Sequence, residues 1–313
     1  MQKLRTAVVG VGYLGRFHAQ KYAALEGCEL VGVVDARAET AERVAAELNT
    51  RAYTDHRELL GKVDAVSVAT ITPAHFGVAS AFVESGAHVL VEKPITTTPE
   101  EARKLIELAS ARGRVLQVGH LERFNPALRA AEPYLRAPRF MECLRLAPFR
   151  ERGTDVNVVL DLMIHDIDLV QTIVGSASTQ VDAVGTPVFS PQIDIANARL
   201  HFTGGCVANV TASRVSMKTE RKLRVFQDDT YLSIDLQQKI LTVIRKDPAG
   251  AAAGQLPVSI NEQSFEQGDA LRAEIEAFIA AIRGEGPVVV SGEDGLRALQ
   301  TAIAITRSVQ QGR

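Results

Sequence analysis

Val8-Val9-Gly10-Val11-Gly12-Tyr13-Leu14-Gly15-Arg16-Phe17-His18 is the stretch on which the reading of the fold turns. An apolar run precedes the glycines and a helical pattern follows them, which is the setting of a dinucleotide turn. The first glycine of G-x-G-x-x-G permits the tight bend, the second lets backbone approach a pyrophosphate, and the third lets helix and strand pack closely. The helix start then offers N–H groups and a favourable dipole to the phosphates. The next apolar run, Leu30-Val31-Gly32-Val33-Val34, ends at Asp35, twenty residues after Gly15. A carboxylate there accepts hydrogen bonds from the adenosine ribose of NAD and repels the 2′-phosphate of NADP. The expected cofactor is therefore NAD, with some NADP use left open by nearby Arg37.

Outward from this turn, residues 1–122 alternate short β-branched runs with helical patterns. Strands are expected at 4–9, 29–34, 64–69, 87–91 and 114–118, and helices at 13–26, 37–48, 74–85 and 99–112. Thr98-Pro99-Glu100-Glu101 reads as a capping box with proline in the first turn. The alternation predicts a doubly wound parallel sheet, an α/β Rossmann domain, with ligands at the carboxyl ends of its strands. Residues 123–313 change rhythm. After a helical segment near 126–136, strands are expected at 139–147, 180–188, 193–203, 206–215, 221–227, 231–236 and 239–245, several joined by tight turns. Helices are expected at 157–174, 268–283 and 292–311, and Pro248 to Gly254 reads as a surface loop. This half is expected to be an α+β domain with a predominantly antiparallel open sheet, serving substrate binding and oligomerisation.

Composition narrows the function classes. The chain has 313 residues, 46% of them hydrophobic, enough for two cores. Its net charge is −2 with both signs mixed, so nucleic acid is not an expected partner. Cys28, Cys143 and Cys206 lie far apart without C-x-x-C spacing, which fits a reducing, cytoplasmic setting and argues against a disulfide framework or structural zinc. No apolar run reaches the length needed to span a bilayer, and no membrane partner is expected.

Two further segments carry chemistry. Ala69-Thr70-Ile71-Thr72-Pro73-Ala74-His75 and Val91-Glu92-Lys93-Pro94 fall where strands end on the ligand edge. Pro94 forces Lys93 into extended backbone, and a partly enclosed lysine beside a cofactor can move a proton, although a surface lysine paired with Glu92 is the plainer reading. On a helical wheel Asp161, His165, Asp168 and Thr172 share a narrow stripe, while most of their neighbours are apolar. A polar stripe on a buried helix must find partners or line a cavity. Asp161, four residues before His165, could orient the ring for general-base work on an alcohol. A satisfied core network is the alternative; metal binding is weaker still, and no metal is expected.

Together, Gly10-x-Gly12-x-x-Gly15-x-x-His18, Glu92-Lys93-Pro94 and Asp161-x-x-x-His165-x-x-Asp168 resemble the Gfo/Idh/MocA oxidoreductases over essentially the whole chain. The resemblance implies hydride transfer between NAD and a sugar secondary hydroxyl, with Lys93, Asp161 and His165 converging on the nicotinamide from the two domains. It implies cofactor contacts from Gly10, Gly12, Tyr13, Leu14, Gly15, Asp35, Arg37, Thr70, Ile71, Thr72, His75, Glu92 and Lys93. Substrate contacts are implied for Lys93, Arg123, Asn125, Asp161 and His165. Phrases such as Gln117-Val118-Gly119-His120-Leu121-Glu122-Arg123-Phe124-Asn125-Pro126 are similar to a bacterial subgroup that includes UDP-N-acetylglucosamine 3-dehydrogenases, which supply a 3-keto sugar for lipid A biosynthesis. The expected substrate is then a sugar or nucleotide sugar, and the expected assembly a homo-oligomer, dimer or tetramer. Arg123, Arg214, Lys218, Arg221, Lys222 and Arg224 are candidates for a diphosphate. The rival readings are an inositol or free-sugar dehydrogenase and a non-catalytic NAD-binding regulator. Two departures stand out: Ile71, not proline, follows Thr70, and Val158-Val159-Leu160 replaces the glycines common before the aspartate.

Overall fold

Short runs of valine and alanine, buried on both faces, build the first sheet. The structure is a computed structural model and describes residues 2–150, 156–247, 257–266 and 268–312. Strands β1 (Leu4–Val9), β2 (Cys28–Val34), β3 (Arg51–Tyr53), β4 (Ala65–Val68), β5 (His88–Glu92) and β6 (Leu116–Gly119) form one six-stranded sheet. Its order is β3-β2-β1-β4-β5-β6 and every pairing is parallel. All four residues of β4 are buried, as expected of a strand covered by helices on both faces. Strand order reverses between β1 and β4, so the carboxyl ends of these two strands open the crevice where a dinucleotide lies. Helices α1 (Tyr13–Ala24), α2 (Ala38–Leu48), α3 (Thr72–Glu84) and α4 (Pro99–Ala111) connect the strands. The capping box on α4 forms, with Thr98 accepting from the Glu101 amide and Glu101 accepting from that of Thr98.

The chain divides into two compact units, residues 1–121 with 269–296, and 122–268 with 297–313. The helical stretch from 269 thus groups with the first unit. The physical reason is apolar burial: Leu271, Ile275 and Phe278 pack with Val8, Ala19 and Tyr22 in one core cluster.

In the second unit, α5 (Pro126–Ala131) precedes β7 (Phe140–Leu146), and α6 (Ile164–Val174) follows a π-helical turn at Val159–Met163. Strands β8 (Ser178–Thr186), β9 (Ile195–Phe202), β10 (Val207–Ser213), β11 (Glu220–Phe226), β12 (Thr230–Asp235), β13 (Ile240–Lys246) and β14 (Val258–Ser264) complete an eight-stranded sheet. Its order is β14-β13-β12-β11-β7-β10-β9-β8, antiparallel throughout except for the β7–β10 pair. Strand β7 alternates buried and half-buried residues, the period-two signature of a sheet with one covered face. Helices α7 (Ala270–Arg283) and α8 (Gly292–Gln311) close the chain. Two strands escape the sequence reading: β3 has only three residues, and β14 is polar with mostly exposed side chains, so neither shows a hydrophobic rhythm. The alanine- and glycine-rich stretch Pro248 to Gly254 lies outside the described residues.

Candidate active site

Backbone packing explains the glycines of the nucleotide turn. Gly10 has φ +86, and a Cβ there would meet the Ala69 carbonyl oxygen at 2.6 Å. A Cβ on Gly15 would lie 1.8 Å from the Gly10 oxygen, so the α1 start sits directly on the turn. Gly12 differs, because a Cβ there would meet nothing within 4 Å. The open space above Gly12 is what a pyrophosphate needs for close approach to backbone. Gly12 is also the N-cap of α1, with neither a capping side chain nor an acidic residue in the first turn. That start is therefore set up for an anion, and the residues present fit NAD. Leu14 is half-buried, while exposed Tyr13 meets the Phe17 ring edge-on at 5.4 Å.

Asp35 follows β2, and its Oδ1 accepts the Arg37 amide at 3.0 Å. The Arg37 guanidinium stands 3.7 Å from the same oxygen, 76% exposed, while the Asp35 side chain is 12% exposed. Beyond β4, Ile71 takes the N-cap of α3 with its side chain 74% exposed, Thr72 begins the helix, and Pro73 lies in the first turn. The shift of proline from 71 to 73 thus leaves a bare aliphatic side chain at the strand end.

His75 ties this segment to the next one. Its Nδ1 lies 2.8 Å from the Pro94 carbonyl oxygen and its Nε2 lies 3.1 Å from that of Thr70. Burial pushes the ring's pKa down against the pull of both carbonyls, so the neutral form is favoured. Lys93 is half-buried at the end of β5, and its bond to Pro94 is cis. Behind it, the Glu92 carboxylate takes a hydrogen bond from the His18 ring at 3.0 Å and from the Lys93 amide at 3.3 Å. His18 Nδ1 pairs with the Ser67 hydroxyl at 3.1 Å, and Ser67 pairs with the Tyr22 hydroxyl at 2.9 Å. Burial pushes the Glu92 pKa up, but His18 and the Lys93 charge outweigh it and hold the carboxylate below its usual range. The Glu92 carboxylate thus ties down the backbone at Lys93.

In the second unit, the π turn sits on the candidate catalytic segment. The Ile164 amide donates to the Val159 carbonyl, five residues back, and Asp161 lies inside that wider turn. Such turns insert one extra residue and recur at functional sites. The winding therefore changes between Asp161 and α6, while His165, Asp168 and Thr172 stay on regular α-helix. Asp161 and His165 stay half-buried. Asp168 is 1% exposed and takes a bidentate bond from Arg123 at 2.6 and 2.8 Å. The Thr172 hydroxyl donates to the Asp168 carbonyl.

Several implied substrate contacts are structurally engaged. Asn125 caps α5 by accepting from the Ala127 amide and donates to the Leu236 carbonyl. Arg145, fully enclosed, joins Asp166 at 2.8 Å to Glu122 at 2.9 Å, and Glu122 also meets Arg221 at 3.3 Å. Arg214 grips buried Asp194 at 2.8 Å, Lys218 and Lys222 meet Glu220 at 2.5 and 3.5 Å, and Arg224 meets Glu142 at 2.6 Å. Each cation of the supposed phosphate cluster thus has a carboxylate partner. Sequence reasoning missed Gly119, whose Cβ would lie 2.8 Å from the Glu92 carboxyl carbon, and Glu274 on α7. Glu274 was readable as a charge set among Leu271, Ile275 and Phe278 on an otherwise apolar helix face.

Comparison with known proteins agrees with the fold. Residues 4–120 match the Gfo/Idh/MocA oxidoreductase family model for the NAD-binding Rossmann fold, and residues 150–313 match the C-terminal alpha/beta domain. The chain is 43% identical over 315 residues to UDP-N-acetylglucosamine 3-dehydrogenase of Acidithiobacillus ferrooxidans, covering 99% of this chain and 98% of that protein. A solved structure of that organism's UDP-N-acetylglucosamine 3-dehydrogenase GnnA superposes with a TM-score of 0.94 at 42% identity, covering 99% of each chain. A scyllo-inositol 2-dehydrogenase (NAD(+)) of Bacillus subtilis is 27% identical, covering 99% of this chain and 95% of its own length.

Proposed function

We propose, from the premise that this chain belongs to the Gfo/Idh/MocA oxidoreductase family, that it oxidises the 3-hydroxyl of UDP-N-acetylglucosamine to a 3-keto sugar. The family and its relatives make it an NAD-binding dehydrogenase of CH–OH groups. The substrate and the residue roles are the proposal. The observation that carries the chemistry is the placement of Lys93 at the carboxyl end of β5, backed by the buried Glu92–His18 pair. The full-length similarity to the Acidithiobacillus ferrooxidans enzyme supports the substrate.

NAD, when bound, supplies the acceptor for the hydride that leaves the carbinol carbon. The Gly10–Gly15 turn and α1 start hold its pyrophosphate, and Asp35 accepts from the adenosine ribose hydroxyls. Lys93 hydrogen-bonds the substrate oxygen and stabilises the charge that develops as the C–H bond breaks. His165 takes the hydroxyl proton, and Asp161 orients and stabilises the protonated ring. We assign contact between copies of the chain to the eight-stranded sheet, and a cytoplasmic place in lipid A precursor synthesis follows from the same reading.

The test is to follow NADH formation by purified protein with UDP-N-acetylglucosamine, myo-inositol and simple hexoses. Turnover of the nucleotide sugar is the expected result; turnover of inositol alone overturns the substrate. Lys93→Ala is expected to lower kcat/KM by about a hundredfold or more, and a fully active variant removes Lys93 from the mechanism. One observation favours the inositol reading: the cations considered for a diphosphate are already paired with carboxylates.

A further inference from the structure

A third acid stands beside the His18–Glu92 pair. Glu274 is 0% exposed, and its carboxylate, the Glu92 carboxylate and the His18 ring offer atoms all within 4.8 Å of one another. Neither Glu274 carboxylate oxygen has a hydrogen-bond partner among the described residues. Its backbone is anchored, because the Glu274 carbonyl accepts from buried Gln117 at 3.1 Å. The titratable groups around it are His18 and Tyr22 from α1 and Glu92 from β5. Two carboxylates this close in a dry interior do not both ionise. Glu92 is the one with partners for a negative charge, namely His18, the Lys93 amide and the Lys93 ammonium.

We propose that Glu274 is held as a neutral carboxylic acid, which leaves Glu92 the single anion of this buried cluster behind Lys93. The neutral state of Glu274 does not rest on the catalytic reading of Lys93 given above. The His18 ring lies between the Ser67 hydroxyl and the Glu92 carboxylate, and Ser67 pairs in turn with the Tyr22 hydroxyl. Glu92 then carries one negative charge against one ammonium, and Glu274 adds none. Burial, and after it the charge of Glu92, push the Glu274 pKa well above the usual carboxylate range, in accord with this assignment.

A native acid that keeps its proton while the unfolded chain releases it makes stability fall as pH rises. Urea unfolding of the wild type and Glu274→Gln between about pH 5 and 8 reads this directly. The ratio of wild-type to variant unfolding constants is expected to rise about tenfold per pH unit. A ratio independent of pH overturns the proposal. Isotope-labelled glutamate carboxyl NMR of the wild type gives a second readout needing no variant: one carboxyl is expected to stay protonated at neutral pH. Titration of every glutamate in the ordinary range refutes it. So does a stoichiometric divalent metal in elemental analysis, since such an ion would keep Glu274 ionised.

A fully active Lys93→Ala would end the catalytic reading while leaving the unfolding comparison as the measure of the Glu274 proton.

Discussion

Gly119 and Glu92 lie so close that a Cβ on the first would stand 2.8 Å from the carboxyl carbon of the second. They are paired neighbours on β6 and β5, so the missing side chain is what lets the buried carboxylate sit over the sheet's end. Gly119→Ala must therefore displace Glu92 from His18 or push β6 outward. The cost is expected at about 1–3 kcal/mol by denaturant titration, with kcat falling further than that of a core variant of equal stability. A variant with native stability and rate would show that Glu92 moves without consequence for Lys93.

The proposed reading gives Asp35 the choice of cofactor. Its carboxylate is oriented by the Arg37 amide, and the exposed Arg37 guanidinium lies 3.7 Å away. Replacing Asp35 by alanine removes the ribose acceptor and the repulsion of a 2′-phosphate while leaving Arg37 in place. The NAD-to-NADP ratio of kcat/KM is expected to fall by about 10–150-fold, the worth of one charged hydrogen bond. Steady-state kinetics with both cofactors decides, and an unchanged ratio assigns the preference elsewhere.

Arg145 is the hub of the second unit's buried charges. It is bidentate to Asp166 and also holds Glu122. Burial pushes the Asp166 pKa up despite Arg145, while Arg145 and Arg221 bring that of Glu122 down against burial. Arg145→Met leaves both acids without their main cation and is expected to cost about 3–5 kcal/mol. Adding Asp166→Leu is expected to recover part of that loss, and a double-variant cycle with no coupling would show that the network contributes nothing.

Asp194 gives an acid limb to stability. It is fully buried and accepts from the amides of Val188, Phe189 and Ser190, the Ser190 hydroxyl and Arg214. These donors, opposing burial, hold its pKa well below the usual carboxylate range. The unfolded chain takes up a proton near pH 3.9 while the native state resists it. The stability that wild type holds over Asp194→Asn is therefore expected to be constant above about pH 5 and to shrink as pH falls below about 4. A difference that grows on acidification would contradict the assignment.

Much of the first unit was legible because its signals are local. The Gly10–Gly15 turn, the acid closing the next strand and the Thr98 capping box each depend on residues a few places apart, and each specifies its own backbone. The period-two alternation of β7 marks the covered face of the second sheet in the same way. Other features arise only when distant segments meet. The stripe from Asp161 to Thr172 assumed uniform α-helical winding, whereas Val159–Met163, which holds Asp161, winds as a π turn. The partner of Arg123 is set in the same way, by Asp168, 45 residues away. Glu274 and Glu92, 182 positions apart in the chain (274 − 92), become neighbours through the packing of α7 with α1. Backbone conformation follows from short-range sterics and is written in sequence. The ionisation of a buried acid depends on which charges surround it, and only the folded chain decides that.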